Sequence, residues 1–599
     1  MIITYENMLS IGESFNARTT NTQELCNTFI SNIYFERLCS PNNVIMIGPR
    51  GSGKTTLLRM LEVEALDLWD KEISNEFRRK IDFSGVFIPT DRFWKTQYDK
   101  LLTMVEDNHS LQKILESIFI YHILEKLAST ITYRASKSVK RKNHFKHIEI
   151  DKETESAMVE DLSSLWQTDV RIKSLRGLTI SIIEKKQELS DYISKATAKE
   201  LSLPPLPRYI DSDLIRVLDT SIKTINIYLN CRDDKWAFLF DELELAPDKL
   251  IQPLIDAMRG GPDNIIFKLA LSPYHKGVSI TDAPTSTMKD QDLTFINLTG
   301  VNKKESENFA IELCSNLFLR NGLKNNIDSY FENPQKTNVE LDFKELYDKD
   351  ESFKNFIDKK CINIKNLSAH DDTTKAQIRK IQFIVQLRNY SLKYKGHRKS
   401  RRRPADYYAG FINICKAMEY NPRMLIGIMN TFIPIAKSEG IISISTQLSY
   451  LNNYYQSFQS LLSTIAIKSN NSAYNTIYDL IEVIAKAFHN EIYGPNFKPN
   501  PCGSINFKKG THILSYKEAI GYALNAGALI AEKNDIGAFH DVINIEKTKC
   551  RLSFLFAHHF GLLMIKQKEK DLMSILNSND EISVIEPFTS YTHQMEFTL

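Results

Sequence analysis

The sequence predicts an α/β P-loop NTPase fold, and three stretches predict it. Val44-Ile45-Met46-Ile47 reads as a buried strand, turns through Gly48-Pro49-Arg50-Gly51-Ser52-Gly53, and enters a helix at Lys54-Thr55-Thr56-Leu57. The spacing G-x-x-x-x-G-K-T is that of a phosphate-binding loop. Trp236-Ala237-Phe238-Leu239-Phe240 is an apolar run that ends in Asp241-Glu242, and Asn264 to Leu271 is another that ends in Ser272.

The whole chain sets the bounds. Its 599 residues exceed one ordinary core, so two to four domains are expected. Apolar residues at 42% and charged residues at 25% lie in the globular range, and a net charge of +3 says nothing by itself about nucleic acid. The 8 cysteines form no C-x-x-C pair, which argues against a zinc ribbon or a disulfide framework and fits a reducing cytosol. The start, Met1-Ile2-Ile3-Thr4-Tyr5-Glu6, has no basic region followed by an apolar stretch, and no apolar run reaches transmembrane length. A soluble cytoplasmic protein with no membrane partner is expected.

The elements follow in chain order. Thr22 to Leu38 reads as one amphipathic helix, capped by Asn21 or Thr22. Gly85-Val86-Phe87-Ile88 is a strand that Pro89 stops. A mostly helical insertion is expected at about 95–230. It contains a basic run of Arg134, Lys137, Lys140, Arg141, Lys142 and Lys146, which reads as a solvated loop, with nucleic acid or an acidic partner as the alternative. Leu214, Val217, Leu218, Ile222, Ile225 and Leu229 have helical spacing for packing on the sheet. Thr294 to Leu298 supplies the last strand, and Asn302 with Glu305 starts a helix that carries Phe309, Leu313 and Leu317. Residues 320–400 read as a polar, irregular insertion that ends in the basic run 398–403. That run is a solvated stretch or a contact to phosphate, nucleic acid or a neighbouring subunit. Asn421-Pro422-Arg423 is an N-cap, a first helical position and a cation in the first turn. Beyond 440, helices are expected near 446–466, 474–491 and 517–532. The adjacent His558-His559 lack the i, i+4 spacing of a zinc pair.

The chemistry follows from residue type. Gly48, Gly51 and Gly53 permit a tight turn whose N–H groups face a phosphate. The segment Gly48, Pro49, Arg50, Gly51, Ser52, Gly53, Lys54, Thr55 and Thr56 is therefore expected to hold ATP. Lys54 would reach the β and γ phosphates, and Thr55 with Asp241 would hold Mg2+. Glu242 would orient and polarise the attacking water. Ser272 either meets the γ-phosphate or water, or caps its strand. A cation at the positive end of a helix is unfavourable unless an anion sits opposite, so Arg423 is read as a nucleotide sensor.

This constellation resembles the AAA+ ATPases, especially the branch that includes the origin-recognition initiators. The segments GPRGSGKTTLLRML, VFIPTD, LFDELELAP, NIIFKLALSP and EYNPRMLIGIMN resemble as a set a prokaryotic group of initiator-like ATPases, over roughly residues 20–435. The resemblance implies a parallel sheet flanked by helices, in strand order 5-1-4-3-2, followed by a helical lid. It matches Lys54 and Thr55 to Walker A, Asp241 and Glu242 to Walker B, Ser272 to sensor one and Arg423 to sensor two. The implied domains are a nucleotide-binding core at 1–300, a lid at 301–438 and a mainly helical C-terminal domain at 439–599, with a winged-helix reading left open. One departure stands out. The neighbour's arginine that usually completes such a site should lie within 273–293, which holds His275, Lys276 and Lys289 but no arginine. Arg259 lies before the Ser272 strand and Arg320 beyond the last strand, and Arg259 or the run Arg401–Arg403 is the substitute at hand. The ATPase set with no second active site leads to the expectation of an ATP-hydrolysing switch, a homo-oligomer that regulates or assembles with a protein effector encoded nearby, and the resemblance adds anti-phage defence as its setting. The alternatives are a DNA-binding initiator or loader, using the basic clusters 134–146 and 398–403, and a nucleotide-dependent scaffold with little turnover.

Overall fold

In the computed structural model, which describes residues 19–90, 109–136, 145–197, 205–246, 248–275, 293–299, 303–334, 338–392, 406–467, 474–507, 516–532 and 548–577, the chain divides into two units. One comprises Asn16–Gly48 and Gly53–Leu298, and the other includes Pro49–Ser52 and Thr299–Leu599.

The first unit begins with two short helices, α1 (Thr22–Thr28) and α2 (Ile33–Leu38), where one was expected. The break has a cause in the sequence. Asn21 caps α1 through the Glu24 N–H (2.7 Å), and Asn32 supplies a second cap through the Phe35 N–H (3.0 Å). The break lets Phe29 and Phe35 meet Trp69 and Phe77 in a buried aromatic cluster with ring centroids 4.8–5.7 Å apart.

Strand β1 (Asn43–Ile47) leads through the phosphate loop to α3 (Lys54–Arg59), α4 (Val63–Leu68) and α5 (Ser74–Lys80). Strand β2 (Ser84–Pro89) lies at the sheet edge, where a final proline leaves no ladder donor missing. The long connection to the next strand is helical: α6 (His109–Ala135), α7 (Lys152–Leu165), α8 (Leu175–Thr197) and α9 (Leu214–Tyr228). Helix α6 packs along α8 and against β2. Strand β3 (Trp236–Asp241), α10 (Asp248–Ala257), β4 (Ile265–Leu271) and β5 (Leu293–Asn297) complete the unit. All five strands run parallel in the order β2-β3-β4-β1-β5, the order that the resemblance implied. The register pairs Ile47 with Leu271 and Phe240 with Leu269, so β3, β4 and β1 end side by side.

Lys268 lies in the middle of the otherwise apolar β4. Its Nζ donates to the carbonyls of Ser40 (2.9 Å) and Asn42 (3.1 Å), and burial pushes its ammonium down to about 7.

The second unit opens with α11 (Lys303–Arg320). Its buried residues are Ala310, Cys314 and Phe318, one position on from the expected Phe309, Leu313 and Leu317, which are half-buried. The expected irregular insertion is mostly helical: α12 (Val339–Lys349), α13 (Glu351–Lys359) and α14 (Asp372–Ser391). Asn338, Asp350 and Asp371 cap the three. The core faces of α12 and α13 are narrow, with Phe343, Leu346, Phe353 and Ile357 among charged neighbours, so polar composition hid their period, whereas α14 buries Ile378, Ile381, Ile384, Val385 and Leu387. Asp350 also forms a buried ion pair with Arg388, whose guanidinium donates to the carbonyls of Ile492 (2.8 Å) and Gly494 (2.7 Å).

Helices α15 (Phe411–Ala417), α16 (Pro422–Glu439), α17 (Ile444–Ser463) and α18 (Ile477–Tyr493) follow. A four-stranded sheet that the sequence reading did not anticipate comes next. It contains β6 (Cys502–Asn506), then, after α19 (Lys517–Ala526), β7 (Leu529–Glu532) and β8 (Lys549–Leu552), and, after the single turn α20 (Ala557–Phe560), β9 (Lys568–Asp571), with α21 (Leu572–Leu576) behind it. Its order is β7-β8-β6-β9. The helix expected to run on to 532 stops at Ala526, because Gly527 (φ 80°) ends it in the left-handed conformation. Leu529 to Glu532 then pair with β8 instead. His559 stacks on Tyr455 at 4.1 Å, and burial pushes both His558 and His559 down to about 4. Among the described residues no helix is long and apolar enough to cross a membrane.

Candidate functional site

The carboxyl edge of the five-stranded sheet gathers most of the residues singled out in the sequence. The Gly48 N–H donates to the Leu271 carbonyl (3.2 Å), which ties the start of the phosphate loop to the end of β4. Ser272, the next residue along, is buried. Gly53 takes φ 94°, a conformation natural to glycine, and starts α3 without a side-chain cap. An uncapped helix start leaves N–H groups for a ligand. Lys54 is 7% exposed, and its Nζ folds back to donate to the Gly48 carbonyl (2.5 Å). Thr55 and Thr56 stand half-buried in the first turn of α3, which packs on β3 and β4.

Asp241 ends β3 and is 1% exposed. Glu242, half-buried, then takes φ 52°, and this left-handed step turns the chain off the strand into a short 3-10 turn at Leu243–Leu245. Thr90 was not singled out in the sequence. It follows the edge strand β2 and holds the Asp241 carbonyl through its N–H (3.2 Å) and its hydroxyl (2.7 Å). A polar residue just past a strand at the phosphate edge was the available signal.

The four loop residues that group with the second unit have their own partners there. The Arg423 N–H donates to the Gly51 carbonyl (3.4 Å), and the Asn421 amide donates to the Arg50 carbonyl (3.1 Å). The Arg50 N–H donates to the carbonyl of Asn525, near the end of α19 (3.0 Å). Asn421 also caps α16, accepting from the N–H groups of Arg423 (3.1 Å) and Met424 (3.4 Å). Pro422 opens that helix as expected, and Leu425, Ile428 and Phe432 are buried along it. Gly51 has φ 82°, and a Cβ there would stand 2.9 Å from Asn421 Oδ1 and 3.0 Å from Arg423 Cβ. Arg423 itself is half-buried and close enough to Tyr454 for its charge to oppose the effect of burial, which pushes that phenol up to about 12.

Two residues ahead of Asn421 depart from ordinary backbone. Glu419 (φ 54°) and Tyr420 (φ 53°) are both left-handed, at about 1 kcal/mol or more each. Glu419 occupies the position after α15 where glycine is usual. Its carboxylate explains the exception: both oxygens accept from Arg551 of β8 (2.7 Å each), and one also accepts from the Phe554 N–H (2.6 Å). The guanidinium lies 3.9 Å from the Phe554 ring centroid.

The residues present fit a nucleotide and Mg2+. Ser52 Oγ is buried with no hydrogen-bond partner among the described residues, as in a loop shaped for a ligand. Gly51 and Gly53 both hold left-handed φ in that loop. The Thr55 hydroxyl and Asp241 carboxylate are hard oxygen donors of the kind Mg2+ prefers. Arg259 is half-buried just past α10, and Arg320 is exposed at the end of α11. Lys276, Lys289, Lys137–Lys142 and Arg398–Arg403 lie outside the described residues. Of the basic run at 134–146, Arg134 is buried and pairs with Asp234 (3.2 Å), and Lys146 pairs with Asp82 (3.5 Å). Among the described residues no group of His, Cys, Asp and Glu could hold a metal ion by itself.

The model of one protein family, described as ORC-CDC6-like, matches residues 10–572. No curated protein and no solved structure matches the chain.

Proposed function

The chain belongs to the ORC-CDC6-like family of AAA+ ATPases, and from that premise we propose that it is an ATP-binding and ATP-hydrolysing switch that assembles with or regulates a protein effector. The observation that carries the reading is the strand order β2-β3-β4-β1-β5, which lines up the ends of β3, β4 and β1. Asp241 and Glu242, Ser272, and the start of the phosphate loop thereby share one edge, as metal binding, phosphate sensing and phosphate cradling require.

In this reading the N–H groups of the loop and of the first turn of α3 bind the phosphates, and Lys54 exchanges the Gly48 carbonyl for a phosphate oxygen. Thr55 and Asp241 would hold Mg2+, which would supply neutralisation of the phosphate charge. Glu242 aligns a water and takes its proton, and Thr90 keeps the Asp241 backbone fixed. Ser272 touches the γ-phosphate or the water. Arg423, on the turn that holds Gly51, distinguishes triphosphate from diphosphate. The homo-oligomer and the anti-phage setting rest on the resemblance in sequence, and a nuclease or other toxic effector encoded beside the gene would support the latter.

Turnover and binding test the proposal together. Glu242→Gln should keep ATP affinity and lose turnover by about a hundredfold or more. Lys54→Ala should weaken both. Equal, slow phosphate release from the wild type and both variants would replace the switch with a scaffold of little turnover. The DNA-binding alternative loses Arg134 of its first basic cluster to a buried pair with Asp234, while Lys146 lies 3.5 Å from the exposed Asp82. Duplex binding that weakens steeply with salt would restore it.

A further inference from the structure

The phosphate-loop residues Pro49–Ser52 are held twice by the part of the chain that forms the C-terminal sheet. One hold is direct: the Asn525 carbonyl accepts from the Arg50 N–H (3.0 Å). The other runs through Glu419. Arg551 grips both its carboxylate oxygens, two residues further on Asn421 holds the Arg50 carbonyl, and Arg423 donates its N–H to the Gly51 carbonyl. The two holds start from neighbouring elements, because β7, which follows α19, pairs Ile530 with Arg551 of β8.

The intervening backbone is short and constrained. Tyr420 donates its N–H to the Cys415 carbonyl (3.0 Å), and its hydroxyl reaches Glu307 (3.4 Å). With Glu419 and Tyr420 both left-handed, the direction in which Asn421 leaves α15 depends on those two residues. A glycine would adopt the first conformation without strain. A glutamate there needs the ion pair to hold it. The side chains of Glu419 and Arg551 are 14% and 16% exposed, so neither is a surface charge that water would readily satisfy in the other's place.

We propose that Glu419 and Arg551 are positioning residues for the nucleotide site: their ion pair lets the C-terminal sheet set the Asn421–Arg423 turn on the phosphate loop. A change at β8 would then be transmitted to Gly51 and Arg423 as a change in how the loop receives the γ-phosphate. This rests on the reading of the loop as an ATP site. Neither residue is expected to touch the nucleotide.

The experiment has two arms, so that failure of the ATP reading and failure of the relay separate. The first needs no nucleotide. Amide hydrogen exchange is followed in peptides covering Arg50 and Arg423, in the wild-type full chain, Arg551→Ala, Arg551→Lys and the charge-swapped Glu419→Arg/Arg551→Glu. Exchange in both peptides should rise at least fivefold in Arg551→Ala. It should rise less in Arg551→Lys, which keeps the charge but loses the two-pronged grip, and fall back in the swap. Peptides from β1 and β4 should be unchanged, which separates a lost relay from a lost fold. If Arg551→Ala does not fold, Arg551→Lys and Glu419→Gln carry the test.

The second arm measures ATP and ADP affinity and turnover in the same proteins. The preference for ATP over ADP should drop about tenfold in Arg551→Ala, with ADP affinity within twofold of wild type. Unchanged exchange at Arg50 and Arg423 overturns the relay, whatever the ATP results. Raised exchange with unchanged nucleotide preference and turnover overturns the positioning role. If the wild type binds neither nucleotide, the ATP reading and with it the positioning role fall.

Discussion

Gly51→Ala isolates the crowding of the phosphate loop in one methyl group. The backbone there has φ 82°, and alanine in that conformation costs about 1 kcal/mol. The new Cβ would lie 2.9 Å from Asn421 Oδ1, 3.0 Å from Arg423 Cβ and 3.3 Å from Arg423 Cδ. Asn421 has to yield, and its oxygen is the cap of α16. Losing that cap adds about 1 kcal/mol more, for a total of about 2–3 kcal/mol with residual overlap. If nucleotide requires the loop as it stands, this becomes roughly a 30- to 150-fold loss of ATP affinity. A titration with a fluorescent ATP analogue reads it, with thermal unfolding as the control for folding. The double variant Gly51→Ala/Asn421→Ala provides the internal check. Because Asn421 creates part of the overlap, the double variant should lose less than the sum of the two single losses. Affinity within threefold of wild type, together with an unchanged unfolding midpoint, would refute the reasoning.

Further outcomes follow from other close approaches and burials. Gly85→Ala would put a Cβ 2.1 Å from the Leu61 carbonyl oxygen and 2.9 Å from its carbon, both backbone atoms. That change should cost about 3 kcal/mol or more and show as an early unfolding transition or insoluble protein; normal solubility with an unshifted melt would contradict it. His558 is held at about 4 by burial, against about 6.5 in the unfolded chain, so the unfolded state binds more protons below pH 6.5. Stability should therefore fall as pH drops from 6.5 to 4, by roughly 3 kcal/mol from this residue. Urea midpoints across that window should be less pH-dependent in His558→Phe than in wild type, and identical slopes would rule the histidine out as a source.

Much of the first unit was legible because its signals are local. Four apolar residues before a glycine-rich turn, an apolar run ending in two acids and another ending in serine each need only their own neighbours to be read. All three are strands that end at one edge. Asn421-Pro422 marked its helix start just as plainly. The misses have physical causes. Helices α12 and α13 bury narrow stripes between charged faces, so composition concealed their period. The 517–532 segment changed type at Gly527, because β7 has a partner in β8 that no local pattern announces. Lys268 is tolerated in a buried strand because the carbonyls of Ser40 and Asn42, over 200 residues earlier, accept its hydrogen bonds.

The sequence by itself determined the phosphate loop, the two acids of Asp241-Glu242 and the capped start of α16, because spacing and residue type specify them within a few positions. The tertiary structure alone decided what holds them. Thr90 fixes the Asp241 carbonyl, the Asn525 carbonyl takes the Arg50 N–H, and Arg551 binds a glutamate where a glycine would be expected. Hydrogen bonds and ion pairs between residues more than a hundred positions apart depend on how the chain closes on itself, and spacing along the chain does not encode that.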